Sequence, residues 1–197
     1  MTFFYSETET LLNPMDFSFE AGRVRLRNLR SADLPDFAAY RADPNVARFQ
    51  GFDPYTEAEA ADFIAEQAVA AVPAVPGSWV QLAIARADDD QLLGDCALHR
   101  YAHEPRFGEL GITLAPRWQG QGYARDAVRG LLRYCFAELS MHRMLALADV
   151  RNLPCVALLE SAGLRREGHF RHNGWYKGEW CDEYQYALLA SEWNEAR

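Results

Sequence analysis

The stretch that decides the fold is Arg117-Trp118-Gln119-Gly120-Gln121-Gly122-Tyr123-Ala124, in which two glycines stand two positions apart. An apolar, strand-like run from Gly108 to Ala115 precedes it, and a long run from Arg125 to Leu139 follows it. A strand, a glycine turn and a helix in this order aim backbone N–H groups and the positive helix end at one point. Because glycine has no side chain, a bulky anion can approach such a turn closely. We therefore interpret the stretch as a cradle for a pyrophosphate group.

The run after the turn has the period of a helix with one buried face. Its apolar stripe consists of Ala124, Ala127, Val128, Leu131, Leu132, Cys135, Phe136 and Leu139. Its polar stripe consists of Arg125, Asp126, Arg129, Arg133 and Glu138.

Glycines between a strand and a helix also occur in ordinary tight turns, so other interpretations need weighing. A dinucleotide-binding turn requires a third glycine where this chain has Arg125, and it usually opens a domain. Asp149 could mimic the acid that binds ribose in such folds, but too little chain follows it to complete a doubly wound sheet. A phosphate loop of the Gly-Lys-Ser type is absent from the sequence.

Several motifs in order resemble one enzyme family. Gln119-x-x-Gly122-x-Ala124 resembles the acyl-CoA signature of the GNAT N-acetyltransferases. Asn152-Leu153-Pro154-Cys155, the run Leu158 to Leu164, and the closing Trp180-x-Asp182-Glu183-Tyr184-x-Tyr186-x-Leu188 resemble its ribosomal-protein alanine acetyltransferase (RimJ/RimL-type) branch. The likeness extends from about Gly22 to Trp193.

The predicted elements alternate as strand, two helices, several strands, helix, strand, helix and two strands. This order favours an α+β fold, a mixed sheet with helices on both faces. We expect residues 1–21 to form an N-terminal arm and residues 22–197 a single domain. The resemblance implies the GNAT fold, whose mixed, largely antiparallel sheet has a splayed central strand pair that admits the pantetheine arm of acyl-CoA.

The resemblance implies acetyl-CoA as cosubstrate and no metal. Its pyrophosphate would be held by the backbone N–H groups of Gln119, Gly120, Gln121, Gly122, Tyr123, Ala124 and Arg125. Backbone groups of Ile112, Thr113 and Leu114 would pair with pantetheine as an added strand does. Arg117 and Arg125 would add charge at the phosphates, unless they are simply solvated. Asn152 resembles the asparagine that contacts pantetheine in the family, and it also suits a helix cap.

Glu109 is the candidate general base, within a Glu-x-Gly pattern that the branch shows on this strand. Strand alternation places Glu109, Gly111 and Thr113 on one face, so Glu109 can take the amine proton if that face meets the acceptor. The alternative is a surface carboxylate paired with an arginine.

The donor of a proton to the departing thiolate is less clear. Many GNAT enzymes use a tyrosine after the asparagine, but none occurs between Asn152 and Gly163. The candidate here is Cys155, with an unperturbed pKa of about 8.5. Cys155 as donor, water as donor, and no donor at all remain open, and we favour a supporting contact. A covalent acetyl-cysteine route lacks an adjacent base.

Composition narrows the class of protein. The chain of 197 residues suits one core, and its net charge of −8 argues against nucleic acid as a partner. Four scattered cysteines and five histidines show no metal-ligand spacing. The N-terminus lacks the features of a signal peptide, and no apolar run reaches the ~20 residues of a membrane helix. We expect a cytoplasmic protein with reduced thiols.

The sequence thus predicts an acetyl-CoA-dependent N-acetyltransferase that acts on a primary amine, either a protein N-terminal α-amine or a small cationic amine. The rivals are a non-catalytic acyl-CoA-binding module on the same fold and a nucleotide-dependent oxidoreductase. Phe49, Phe52 and Tyr55 would line the acceptor pocket by resemblance, or simply pack between helices. The predicted loop from Trp175 to Trp180 would pack on a second copy in a homodimer or close over substrate.

Overall fold

A computed structural model describes residues 17–193 of the chain. Within this range lie eight strands and five α-helices. The strands are β1 (Ser18–Ala21), β2 (Val24–Asn28), β3 (Trp79–Arg86), β4 (Leu92–Arg100), β5 (Phe107–Leu114), β6 (Arg143–Asp149), β7 (Arg165–Tyr176) and β8 (Glu179–Leu189). The helices are α1 (Leu34–Arg41), α2 (Pro44–Ala47), α3 (Glu57–Ala68), α4 (Tyr123–Arg133) and α5 (Leu153–Ser161). None of these helices is long and apolar enough to cross a membrane.

All eight strands form one open sheet in the order β1-β2-β3-β4-β5-β6-β8-β7. Neighbouring strands run antiparallel except β5 and β6, which run parallel. The parallel pair is joined by α4, as a parallel connection requires a crossover. The architecture is the expected mixed, largely antiparallel sheet.

The parallel pair splays apart along its length. Its three paired positions are Phe107 with Arg143, Gly108 with Met144, and Glu109 with Leu145. Beyond these positions β5 runs on to Leu114 and β6 to Asp149, and no further residue pairs join the two. The predicted splayed strand pair is therefore confirmed, and Glu109 stands at the vertex of the opening.

Helices cover the two faces of the sheet with separate apolar clusters. The larger cluster packs α4 and α5 on one face, with Leu131, Leu132 and Leu159 buried against strand residues such as Leu98 and Leu110. The smaller cluster packs α1 and α3 on the other face, around Phe37, Tyr40 and Ile64. Two helical layers on one sheet leave the open edge of β5 accessible between them.

A buried polar network fixes α1 on β4 within the smaller cluster. Asp95 is fully buried, and it accepts hydrogen bonds from the Tyr40 hydroxyl at 2.5 Å and from Arg41 Nη2 at 2.6 Å. The side-chain amide of Gln81 also donates to Asp95. The Arg41 guanidinium stacks on the ring of Phe52, 4.0 Å from its centroid. A charge removed from water needs such partners, so this network specifies where α1 lies.

The last residues of the predicted N-terminal arm belong to the sheet. Residues Ser18 to Ala21 form β1 and pair with β2 through a turn in which Gly22 has φ +65°. Phe17 and Phe19 pack on the ring of Tyr134 at centroid distances of 5.2 and 5.1 Å. This long-range packing has no local periodicity, which is why the sequence did not reveal it. Phe3 and Phe4 of the predicted arm lie outside the described residues.

The C-terminal hairpin also differs from the prediction. The stretch Asn173 to Tyr176 belongs to β7, and only Lys177 and Gly178 form the turn, with φ +53° and +80°. A bulge between Phe170 and Gly174, where His172 has φ +50°, absorbs the other turn-like residues. The long helix is likewise divided, because a π-helical segment from Tyr134 to Glu138 follows α4.

Candidate active site

The glycine turn leaves backbone donors exposed at the start of α4. Gly122 is the N-cap of the helix with φ +87°, and no side chain caps the helix. The first-turn N–H groups of a helix have no intrahelical acceptor, so those of Tyr123, Ala124 and Arg125 are free to bind an anion. Gly120 has φ +71°, and a Cβ built there would meet nothing within 4 Å. The turn is thus shaped as an open cradle.

One predicted donor of the cradle is already occupied. The N–H of Gln119 donates to the carbonyl of Pro116 at 3.2 Å, within a single 3₁₀ turn. The Gln119 side chain turns back to the strand and donates to the carbonyl of Leu114 at 2.9 Å. Gln119 therefore shapes the turn, and the cradle proper begins at Gly120.

The two arginines predicted at the phosphates differ in their surroundings. Arg117 pairs with Asp36 of α1 at 2.5 Å, which holds it on the opposite side of the β5–α4 connection. Arg125 is exposed in the first turn of α4 and has no ion-pair partner among residues 17–193. A third arginine, Arg23 in the β1–β2 turn, lies directly over Gly122. Its Nη2 is 2.6 Å from the position that a Cβ of Gly122 would occupy.

The exposed edge of β5 presents two of the three residues expected to face pantetheine. The N–H of Ala115 donates to Leu93 of β4, and residues exchange such bonds at alternate positions of an antiparallel pair. The backbone of Thr113 therefore faces β4, whereas the backbones of Ile112 and Leu114 face the splay. The prediction that Thr113 offers backbone groups to pantetheine does not fit this alternation.

Glutamine side chains already contact that edge. The Gln50 amide donates to the carbonyl of Ile112 at 3.3 Å, as the Gln119 amide does to that of Leu114. These carbonyls accept hydrogen bonds from amide N–H groups, the same donors that a pantetheine arm carries. The edge is therefore suited in chemistry to an amide-bearing chain.

A cavity of about 530 Å³ opens on the face of β5 that carries Glu109. Gly111 and Thr113 of β5 line it, together with Leu147 of β6. The Tyr101 hydroxyl donates to Glu109 Oε2 at 2.7 Å. Burial, the hydrogen bond to Glu109 and the negative charge of Glu109 together raise the pKa of Tyr101 to about 12. Glu109 is thus half-buried beside a neutral donor, and within residues 17–193 it forms no ion pair with an arginine.

A second carboxylate shares this cavity. Glu183 of β8 is buried, lines the cavity and accepts a 2.6 Å hydrogen bond from the Asn173 amide. Neither Glu109 nor Glu183 forms an ion pair within the described residues. Burial raises the pKa of Tyr176, and the charges of Glu183 and Glu109 raise it further. The negative field of both carboxylates therefore reaches the same hydroxyl.

The cations around the cavity are mostly committed to other acids. Arg41 pairs with Asp95. Arg151 pairs with Asp149 and Glu179 at 2.6 and 2.7 Å. Arg48 is exposed on the outer wall, beside the ring of Phe49. Glu109 and Glu183, whose hydrogen-bond partners are neutral, therefore carry negative charge that can attract a cation.

Aromatic rings and the hairpin tip close the cavity on its outer side. Phe49, Phe52 and Tyr55 all line it, and Phe52 and Tyr55 also pack on the smaller apolar cluster. The Lys177 ammonium at the tip of the β7–β8 hairpin contacts the Phe52 carbonyl and, at 2.7 Å, Asp53. The packing expected of these rings is found for Phe52 and Tyr55, and their role at an acceptor stays a prediction. Trp175 and Trp180, which flank the tip, remain exposed.

Asn152 and Cys155 meet at the start of α5. The Asn152 side chain accepts the N–H of Cys155 at 3.3 Å, so it is the N-cap of the helix. Burial raises the pKa of Cys155 to about 11. The pKa of this thiol therefore lies above that of an unperturbed cysteine, because its surroundings exclude water from the charged form. No group of three metal-ligating side chains occurs in residues 17–193.

Sequence reasoning missed Tyr101, Glu183 and Arg23. Glu183 was visible within the closing motif, and strand alternation from Cys181 places it on the face opposite Tyr184 and Tyr186. Tyr101 and Arg23 reach the site through tertiary pairing, for which neither residue carries a local signal.

An open mixed sheet, a splayed parallel pair and an uncapped glycine turn together define an acyltransferase of the acyl-CoA-binding class. The sequence matches the family described as "Acetyltransferase (GNAT) domain" over residues 23–165. The chain therefore belongs to the GNAT family and is an N-acetyltransferase.

Three relatives illustrate the range of the family around this chain. An uncharacterized N-acetyltransferase, YnaD of Bacillus subtilis, is 30% identical over 87% of this chain and 96% of its own. The [ribosomal protein uS5]-alanine N-acetyltransferase of Escherichia coli is 28% identical over 45% of each chain. A GNAT-family acetyltransferase from Bacillus anthracis, known from its crystal structure, superposes with a TM-score of 0.79 at 27% identity, over 89% of this chain and 99% of its own.

Proposed function

We propose that this enzyme transfers the acetyl group of acetyl-CoA to a primary amine directly, in a ternary complex, with Glu109 as general base. One observation carries the proposal: Glu109 occupies the last paired position of β5, at the vertex of the splay, and lines the adjoining cavity. A base at this point faces both the cleft between the strands and the cavity. The two substrates would therefore meet beside its carboxylate.

The turn and the strand edge fit acetyl-CoA in their chemistry. The open Gly120, the uncapped first turn of α4 and the exposed Arg125 suit a diphosphate. The carbonyls of Ile112 and Leu114 suit the amide N–H groups of pantetheine. Asn152 caps α5 and also lies just beyond the end of β6, next to the open part of the splay, where it could contact pantetheine.

The acyl transfer makes one bond and breaks one bond. The neutral amine nitrogen bonds to the thioester carbon, and the carbon–sulfur bond breaks to release CoA. Glu109 takes the proton that the amine loses, directly or through a water molecule. That proton is then returned to solvent or to the CoA sulfur, so that charge balances over the cycle.

Cys155 would contact the departing sulfur without being essential. With a pKa of about 11 the thiol stays protonated at neutral pH, so it is able to donate a weak hydrogen bond. The same protonation makes it a poor nucleophile, which argues against an acetyl-cysteine intermediate. Water or the unassisted departure of the thiolate remain the other two routes.

The acceptor would be a cation before it loses its proton. Glu109 and Glu183 face the cavity with only neutral partners, and they would attract an ammonium group. The Escherichia coli relative supports a protein N-terminal α-amine as one acceptor class. The carboxylates and the aromatic wall support a small cationic amine equally well.

Two measurements test this function against its rivals. Glu109→Gln should lower acetyl transfer by about 100-fold or more, the usual contribution of a general base, with the Kd of CoA unchanged. A non-catalytic CoA-binding module would show no turnover to lose. Thermal unfolding should shift upward with acetyl-CoA and not with NAD; stabilisation by NAD alone would contradict the proposal and favour an oxidoreductase.

A further inference from the structure

Arg23 reaches the glycine turn from a distant part of the chain. It lies in the β1–β2 turn, and its Nη1 donates to the carbonyl of Gln121 at 3.1 Å. Its Nε donates to Asp126 Oδ2 at 2.7 Å, and its guanidinium lies 4.9 Å from the centroid of the Tyr123 ring. Three separate contacts thus hold one guanidinium across the mouth of the cradle.

Gly122 makes this approach feasible. Because Arg23 Nη2 lies 2.6 Å from the site of an absent Cβ, any other residue at position 122 would displace the guanidinium. The glycine expected to admit an anion therefore admits a cation in this structure. The β1–β2 turn also packs closely against the first turn of α4, since a Cβ at Gly22 would lie 3.3 Å from Asp126.

Arg23 places a positive charge beside the N-terminus of α4, where negative charge is normally favoured. The N-terminus of a helix carries partial positive charge, which disfavours a guanidinium beside it. Asp126, in the first turn of α4, offsets both charges. More than half of the Arg23 side chain is still exposed, at 57%, and no hydrogen bond to Nη2 is found within residues 17–193. The Arg23 guanidinium and the unpaired N–H groups of α4 thus lie side by side with Asp126 as their one acid. An anion bound here would contact both sets of donors.

We propose that Arg23 binds the diphosphate of acyl-CoA, and that the Gln121 carbonyl and the Tyr123 ring suffice to hold its guanidinium over the turn without the charge of Asp126. The ligand class is a nucleoside diphosphate, because two joined phosphates can contact both the first-turn N–H groups of α4 and the planar guanidinium. The inference rests on the proposed function, since it assigns a binding residue within the same acyl-CoA site. It adds a contact from the β1–β2 turn, about a hundred residues before the glycine motif.

The alternative role of Arg23 is a brace between the β1–β2 turn and α4 through its pair with Asp126. Arg23→Ala and Asp126→Asn both remove that ion pair, but only the first removes the positive charge from the cradle. Arg133→Ala serves as the control for net charge, because it removes one positive charge from the same helix more than two turns away.

Calorimetric titration with CoA distinguishes these roles. Arg23→Ala should weaken CoA binding by about tenfold or more, the range for a lost charge-assisted contact, whereas Asp126→Asn and Arg133→Ala should stay within about twofold of the parent enzyme. Arg23→Lys keeps the positive charge but lacks the planar guanidinium, so its CoA affinity should lie between those of the parent enzyme and Arg23→Ala. S-acetyl pantetheine lacks the diphosphate. With it as the acetyl donor, the parent and Arg23→Ala enzymes should have equal kcat/KM.

Three results would overturn the inference: equal weakening by Arg23→Ala and Asp126→Asn, equal effects of Arg23→Ala and Arg133→Ala, or an equal loss with S-acetyl pantetheine. The melting temperatures of the variants, followed by circular dichroism, show whether each is folded, and Arg23→Lys provides the test if Arg23→Ala is not. If the parent enzyme itself fails to bind CoA, the proposed function fails, and that outcome is separate from the three above.

Discussion

The Tyr101 hydroxyl donates a 2.7 Å hydrogen bond to Oε2 of Glu109, across the antiparallel β4–β5 connection and at the vertex of the splayed strands. This bond fixes the orientation of a carboxylate that has no ion-pair partner among the described residues. The other oxygen, Oε1, pairs with no cation within residues 17–193. The relationship explains how a half-buried acid stays directed toward the cavity.

Removing that hydroxyl should reduce catalysis without removing the base. Tyr101→Phe is expected to lower kcat/KM by roughly tenfold, because a hydrogen bond to a charged group contributes about 1.5–3 kcal/mol. Tyr186→Phe is the matched control, since its hydroxyl donates to Glu160 at 2.9 Å on the other face of the sheet. The control should retain kcat/KM. Equal activities of the Tyr101→Phe and parent enzymes would show that the bond does not orient the base.

The second carboxylate should act on acceptor binding. Glu183→Gln is expected to raise the KM of the amine by about tenfold while the KM of acetyl-CoA stays the same, because a cation loses one charged partner in a partly desolvated cavity. Glu20→Gln, which removes an exposed acid paired with Arg25, should change neither constant. Unchanged amine KM in Glu183→Gln, measured by steady-state kinetics, would remove Glu183 from the acceptor site.

Substitutions at two of the positive-φ glycines, Gly122 and Gly163, separate the effect of backbone strain from the effect on ligand binding. Gly122→Ala and Gly163→Ala each place a side chain at positive φ, which costs about 1 kcal/mol. A Cβ at Gly163 meets nothing within 4 Å, whereas one at Gly122 displaces Arg23. We therefore expect both variants to lose stability in urea denaturation, and Gly122→Ala alone to lose CoA affinity in calorimetry. Similar CoA affinity in the two variants would argue against the cradle.

The Cys155 thiol should be unreactive and dispensable. With a pKa of about 11, about one thousandth of it is thiolate at pH 8, compared with roughly a quarter for an unperturbed cysteine. Its alkylation by iodoacetamide, followed by mass spectrometry, should accordingly be slow at pH 8 and accelerate with rising pH. Cys155→Ala should lower kcat by less than about tenfold. A loss as large as that of Glu109→Gln, with acetyl-cysteine detected, would support the covalent route instead.

Local signals in the sequence predicted the framework of the fold correctly. Thr56 and Glu59 form a capping box at the start of α3, a motif that residues three positions apart specify locally, with Glu59 accepting the Thr56 N–H at 2.7 Å. Asn152 caps α5, and both glycines of the turn have positive φ, because these features depend on neighbours only a few residues away. Strand alternation likewise assigned Glu109 to the face that lines the cavity.

Pairings between distant residues could not be predicted in the same way. Arg117 seemed suited to a phosphate, but Asp36 of α1 holds it. Arg23 carries no local signal for the glycine turn, because its pairing with Asp126 depends on where the sheet places α4. The β7–β8 hairpin was misread because Asn173-Gly174 and Lys177-Gly178 both resemble turns. Only cross-strand register decides which of them is a bulge.

The most direct test of the account is the release of CoA thiol from acetyl-CoA, measured with a panel of primary amines that includes peptide N-termini and small cationic amines. The account predicts amine-dependent release by the parent enzyme with at least one class, and a rate about 100-fold lower for Glu109→Gln. If the enzyme binds acetyl-CoA yet releases no thiol with any amine, or if Glu109→Gln releases it as fast as the parent, direct transfer with Glu109 as base is contradicted.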